Sequence, residues 1–202
     1  MAQSRTTPPQ TDKATAILQG AMQAFLKHGY AGTSMDGVAA AAGVSKATIY
    51  SHFSDKRCLF ERLVQQMAQQ KFRALFEPLP LEGEPRTVLR QLARHALDLM
   101  GNDPQMMDFV RLLIGESGHF PELAQTFISH LSKPGIDRLS HYLASRPELD
   151  IADPEAAARL FVGTLFYFMV TQKILHGEAI APMDSERLVE TLVATLMRAS
   201  PS

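Results

Sequence analysis

The segment Thr33–Lys56, TSMDGVAAAAGVSKATIYSHFSDK, gathers the residues whose types and spacing suggest a chemistry. Lys46 brings a cation, Thr48 and Ser51 bring hydroxyls, and Tyr50 and His52 add ring donors; Lys56 follows as a second cation. Such groups donate to phosphate oxygens and to the edges of bases, which is a chemistry of gripping rather than of bond making. Bond-making signatures are missing. The chain has no GxGxxG, no GxxxxGK[ST], no HExxH and no GxSxG. Gly115-Glu-Ser-Gly118 imitates a nucleophile elbow without its spacing or a preceding strand. His119, His130 and His141 recur every eleven residues, yet Pro134-Gly135 intervenes and no ligand of another type stands at metal-binding spacing. Cys58 is the one cysteine and reads as a small apolar side chain. No metal, no cofactor and no catalytic residue is expected.

The elements that must hold these groups are legible in the same segment. Ser34 can cap a short helix beginning at Met35, and Ser45 can cap the next one. Ala39 to Ala42 let another helix cross closely, and Gly43 supplies a residue able to turn the chain at positive φ. Val38, Val44, Ile49 and Phe53 face a common interior. Lys46, Ala47, Thr48, Tyr50, Ser51 and His52 are left toward the outside or the helix ends. This is a helix-turn-helix whose second helix begins with small residues and fits a DNA major groove. Lys56 falls in the first turn of the following helix, against its dipole, so a compensating anion is expected beside it.

Residues 11–71 resemble the TetR-type transcriptional regulators. The resemblance rests on Phe25, Gly29-Tyr30, Thr33-Ser34, Ala39, Gly43-Val44-Ser45, Ile49-Tyr50, His52-Phe53, Lys56 and Leu59-Phe60. It implies a three-helix DNA-binding head, a linking fourth helix and a helical ligand-binding, dimerising body. By position it implies that Ser34 and Ser45 cap helices against phosphates, with Thr33 in the same DNA-facing set. Tyr50, His52 and Lys56 would then hold the DNA backbone, while Lys46, Ala47, Thr48 and Ser51 lie along the groove. Gly37 departs from the pattern and should loosen its helix by up to about 1 kcal/mol. Farther on, RLLIGE at 111–116 followed by HFPEL at 119–123 resembles the C-terminal domain of the AefR-like branch.

Composition fits this picture. The chain has 202 residues, 46% apolar and 20% charged, with no apolar run long enough for a bilayer. Its first ten residues show no secretory signal, so a cytoplasmic protein is expected. Residues 1–60 carry six Lys/Arg against three acids, and the rest fourteen against eighteen, a basic end on an acidic body. Arg5 lies in an arm over residues 1–10.

Apolar periodicity predicts an all-α fold of nine helices, near 12–28, 35–41, 45–51, 55–76, 84–100, 104–117, 121–144, 154–176 and 184–199. Prolines at 104, 121 and 154 mark helix starts, and Pro134-Gly135 should kink the seventh. The domains expected are the arm 1–10, the head 11–71 with the helix-turn-helix at 34–53, and a ligand-binding and dimerisation domain over 72–202. The last two helices carry wide apolar faces, which suggests a homodimer through Phe161, Leu165, Phe168, Leu188, Leu192 and Leu196. Arg90, Arg94, His95, Met100, Met106, Phe109, Leu113, Phe127 and Phe166 are of the types that line an adaptable apolar pocket, though each alone suits ordinary packing. The expected function is a non-enzymatic DNA-binding regulator, a repressor that holds a palindromic operator as a dimer and is released by a small, largely apolar effector. The alternative is a helical small-molecule-binding protein whose head does not recognise DNA.

Overall fold

The computed structural model describes residues 10–198, and the arm over residues 1–10 lies almost wholly outside them. Regular structure among the described residues is helical throughout. In order come α1 (Gln10–Gly32), α2 (Met35–Ala41), α3 (Lys46–His52), α4 (Lys56–Phe76), α5 (Pro85–Gly101) and α6 (Pro104–Glu116). They are followed by α7 (Pro121–Phe127), α8 (Lys133–Ala144), α9 (Pro154–Met169) and α10 (Ser185–Leu196). The expected seventh helix is composite, because α7 and α8 are joined by a π-turn at Ile128–Ser132. In place of a break at Pro134, the chain widens by one residue: the Lys133 N–H reaches back to the Ile128 carbonyl. Pro134 then sits in the first turn of α8, where a missing N–H costs little. A second π-turn, Val170–Ile174, prolongs α9.

The chain forms two compact units, one of residues Met1–Met67 with Leu112–Thr126, the other of Ala68–Arg111 with Phe127–Ser202. Residues 112–126 thus group with the first three helices although they are distant in the chain. In the first unit the core is Ile17, Ala21, Phe25, Val38, Ile49, Leu59, Phe60 and Val64, with Leu123 from the returning segment. Burying each of these side chains except Ala21 contributes about 1.5–3 kcal/mol. Phe25, Tyr30 and Phe60 form a ring cluster with centroids 5.5–5.6 Å apart, and Phe120 closes on Tyr30 at 4.9 Å.

The helical path of α1 is interrupted at Gly29, which has φ 72° and ψ 171°. A Cβ there would be strained by the left-handed backbone and would stand 2.8 Å from Glu116 Oε1. That carboxylate accepts the Tyr30 N–H at 2.8 Å, and the buried Thr33 hydroxyl donates to the carbonyls of Gly29 (2.7 Å) and Ala24 (3.1 Å). Side chains thus complete the hydrogen bonding that the interruption disturbs.

In the second unit α8 packs on α9, and α5 on α10. The buried stripe of α9 is Ala158, Phe161, Leu165 and Met169, that of α10 Val189, Leu192, Val193 and Leu196. Four of the residues expected to face a second subunit lie in these stripes. Phe161, Leu165, Leu192 and Leu196 are only 2–8% exposed within a single chain, while Phe168 and Leu188 are half-buried. The large apolar side chains that α9 does expose are Leu160, Phe166 and Tyr167, followed by Leu175. The apolar periodicity is broad enough to allow either face inward, and tertiary packing selects one.

Candidate nucleic-acid interface

Ser34 accepts the Gly37 N–H at 3.1 Å and Ser45 accepts the Thr48 N–H at 3.1 Å, so both short helices are capped by the serines that the sequence offers. Gly37 suits the first cap, since a Cβ there would press on the Ser34 hydroxyl at 3.3 Å. Between the caps Gly43 turns the chain at φ 65°. The alanine run meets α1 at Gly20, whose Cβ, were there one, would lie 2.7 Å from the Ala42 amide nitrogen. That close approach packs the turn against α1.

Ile49 is fully buried and Phe53 nearly so, which turns the opposite side of α3 outward. Lys46, Ala47, Tyr50 and Ser51 are exposed there; Thr48 and His52 are half-buried beside them. Lys46 pairs with Asp36 of α2 at 2.8 Å, and the carboxylate raises the lysine pKa by hydrogen bond and charge. An exposed pair like this is weak and exchanges readily for a phosphate. The Ser45 and Thr48 hydroxyls touch at 2.8 Å, and the Ser51 hydroxyl donates to the Thr48 carbonyl at 2.7 Å. The result is a short outward row of one cation, hydroxyls, a phenol and a methyl group. Such groups can donate to an anionic surface.

Two members of the expected set are engaged otherwise. Thr33 is buried and spends its hydroxyl on α1. Lys56 Nζ donates to the carbonyls of Tyr30 (2.7 Å) and Thr33 (2.9 Å), reaches that of Ala31 at 3.4 Å, and lies 4.5 Å from the Tyr30 ring centroid. The partner expected for Lys56 is therefore the carbonyl end of α1, a partial negative charge rather than an anion. Burial draws the Lys56 pKa below its ordinary value, and Glu116 opposes that pull. Asp55 caps the start of α4 through the Cys58 N–H at 2.8 Å, and that amide holds its carboxyl below the ordinary value. Cys58 itself is half-buried.

The sequence reading missed Glu116 as a partner of the head. The residue lay in plain view inside RLLIGE, but a hydrogen bond spanning 86 positions has no local signature.

The residues proposed for a pocket scatter. Arg90 pairs with Glu190, and Arg94 with Glu186, tying α5 to α10. The His95 ring nitrogen meets the Ala74 carbonyl at 2.8 Å. Met106, Phe109 and Leu113 are buried, Met100 and Phe127 half-buried and Phe166 exposed. Two open hollows lie on the second unit. One, of about 230 Å³, is bounded by Ala68, Gln69, Phe72, Arg73, His130 and Pro134. The other, of about 690 Å³, is bounded by Arg86, Glu190, Thr191, Ala194, Thr195 and Arg198. None of the nine proposed residues bounds either. Among the described residues no cluster of His, Cys, Asp and Glu is arranged to hold a metal, and no helix is long and apolar enough to cross a membrane.

Two family models match the chain. Residues 17–63 match the bacterial regulatory proteins of the tetR family, and residues 87–199 match the C-terminal domain of AefR-like transcriptional repressors. The transcriptional repressor BepR of Brucella suis is 24% identical over 95% of each chain. The Bacillus subtilis regulator YezE is 26% identical over 114 residues, a match that spans only 58% of that protein. Among solved structures, the flavonoid-responsive regulator FrrA is 30% identical, covering 94% of this chain and 97% of its own with a TM-score of 0.80.

Proposed function

The chain belongs to the TetR family of transcriptional regulators, and from that premise we propose that it is a repressor that binds a palindromic operator as a homodimer. The observation that carries the reading is the outward row Lys46, Ala47, Tyr50 and Ser51 on a helix capped by Ser45 and backed by buried Ile49. In the groove Lys46 and Thr48 read base edges, while Ser34, Tyr50 and His52 hold phosphates. Thr33 and Lys56 serve the interface indirectly, by fixing the end of α1. Two heads reading half-sites about 34–36 Å apart need a second subunit. The exposed apolar side chains Leu160, Phe166 and Tyr167 of α9 offer it a surface.

The effector is a small, largely apolar molecule taken up by the second unit. A flavonoid-responsive relative at 30% identity supports a planar aromatic compound. Its binding biases the helices that position the heads, and DNA is released.

The test is selection of bound fragments from the source genome by purified protein at fixed, near-physiological salt. A recovered palindrome with half-sites one helical turn apart is expected. Salt-sensitive binding without a shared sequence, or no binding after refolding from denaturant to strip small molecules, would move the assignment to a ligand-binding protein without DNA recognition.

A further inference from the structure

Wholly within the second unit, the first turn of α5 and the end of α10 border an open hollow of about 690 Å³. Small-ligand sites span roughly 300–1,000 Å³, so this one has room for a metabolite. Arg86 of α5 and Arg198 just beyond α10 stand in its wall, and α10 adds Glu190, Thr191, Ala194 and Thr195.

The charges in this wall are unequally engaged. Glu190 takes a two-pronged bond from Arg90, with Nη2 2.9 Å from Oε2, and Arg94 Nη2 stands 3.6 Å from Oε1. The Arg90 hydrogen bond outweighs burial and holds the Glu190 carboxyl below its ordinary pKa, so that negative charge is already met. Arg86 and Arg198 form no ion pair with any described carboxylate. Arg86 is half-buried in the first turn of α5, where the helix dipole disfavours a cation. The cap carboxylate of Glu84 is spent on the backbone there, accepting the N–H groups of Arg86 at 3.0 Å and Thr87 at 2.7 Å.

The threonines have the opposite character. The Thr191 hydroxyl donates to the Arg187 carbonyl and that of Thr195 to the Thr191 carbonyl, both at 2.8 Å. Their protons are used, and their oxygens remain as acceptors. A matching ligand therefore carries an anion for the arginines and hydroxyl donors for the threonines. A carboxylate brings one charge on two oxygens. A phosphate monoester brings about two charges on three oxygens, which suits two guanidinium forks better.

We propose that this hollow binds a phosphate monoester of a small polyol, with Arg86 and Arg198 on the phosphate and the Thr191 and Thr195 oxygens accepting the hydroxyls. The site is separate in chemistry from an apolar effector and independent of DNA binding by the head.

The test is titration of the full chain with glycerol 3-phosphate at constant ionic strength, read at the arginine side-chain N–H signals by NMR. Saturable shifts at Arg86 and Arg198 are expected, with weaker binding of inorganic phosphate and none of glycerol. Arg86→Ala and Arg198→Ala should each weaken glycerol 3-phosphate about tenfold or more, as for loss of charge-assisted bonds. Should Arg86→Ala not fold, Arg86→Lys keeps the charge without the fork and should weaken binding severalfold. Thr191→Val should weaken glycerol 3-phosphate severalfold and leave inorganic phosphate unchanged. Shifts that follow ionic strength without saturating, or unchanged affinity in the arginine variants, would overturn the site. Tighter binding of glycerate would overturn the phosphate, and equal effects of Thr191→Val on both phosphates would overturn the polyol.

Discussion

The helix-turn-helix at 34–53 and the α9–α10 region differ in how far local chemistry defines them. In the first, the decisive interactions span three or four residues: Ser34 to Gly37, Ser45 to Thr48, and the turn at Gly43. Local chemistry of that kind is written in local sequence. In the second, α9 is apolar on most of its circumference, so periodicity leaves several faces equally eligible for the core. Phe161 and Leu165 are buried and Leu160 and Tyr167 are left outside. A surface read from pattern alone is therefore trustworthy where caps and turns define it, and open where only hydrophobicity does.

The largest test bears on that second region. Phe161→Ala should cost about 3–5 kcal/mol in urea unfolding, because it empties a site inside a single chain. The loss should not vary with protein concentration; a concentration-dependent loss would return Phe161 to a subunit interface.

Next come the two head residues found to serve the fold. Lys56→Met should cost about 1.5–3 kcal/mol by removing charged hydrogen bonds to the carbonyls of Tyr30 and Thr33, somewhat less where solvent reaches the group. It should leave the salt dependence of DNA affinity unchanged. A slope smaller by about one would instead assign Lys56 a phosphate. Thr33→Val should cost about 1–3 kcal/mol, with Thr33→Ser close to the unaltered chain. Equal stability of the valine and serine variants would break the distinction between holding α1 and facing DNA.

Acid should act on caps in both units. Asp55 is held below its ordinary pKa by the Cys58 amide, and Glu84, the cap of α5, by the hydroxyl and amide of Thr87. For Asp103 burial acts upward, but the Lys71 ammonium and the Met106 amide carry its carboxyl below the ordinary value. The folded pKa values lie under the unfolded ones, so the unfolded chain takes up protons first as pH falls. The stabilisation is complete above the ordinary values of 3.8 and 4.5 and is lost as pH drops through the folded values. Thermal melts between pH 7 and pH 3 should show stability declining only below about pH 4.5. A decline centred near pH 6 would point to histidines instead.

The smallest effect sharpens the interface itself. Asp36→Asn should leave stability close to that of the unaltered chain, since its pair with Lys46 is exposed. The freed lysine should strengthen DNA binding in anisotropy titrations, and weaker binding would mean that Asp36 positions Lys46 for its contact.

By itself the sequence determined the helical class, the run of helices to within a few residues, and the capped corner that presents Lys46, Tyr50 and Ser51. These follow from caps, glycine turns and apolar spacing, each set within one or two helical turns of the residue concerned. Tertiary structure alone decided that residues 112–126 pack with the head, that Thr33 and Lys56 are spent on the end of α1, and that Glu116 receives the Tyr30 amide. It also chose which face of α9 is core. The reason is common to all four. An irregular helix end or an all-round apolar helix states only that its groups need a partner, and which partner arrives depends on segments many positions away in the chain.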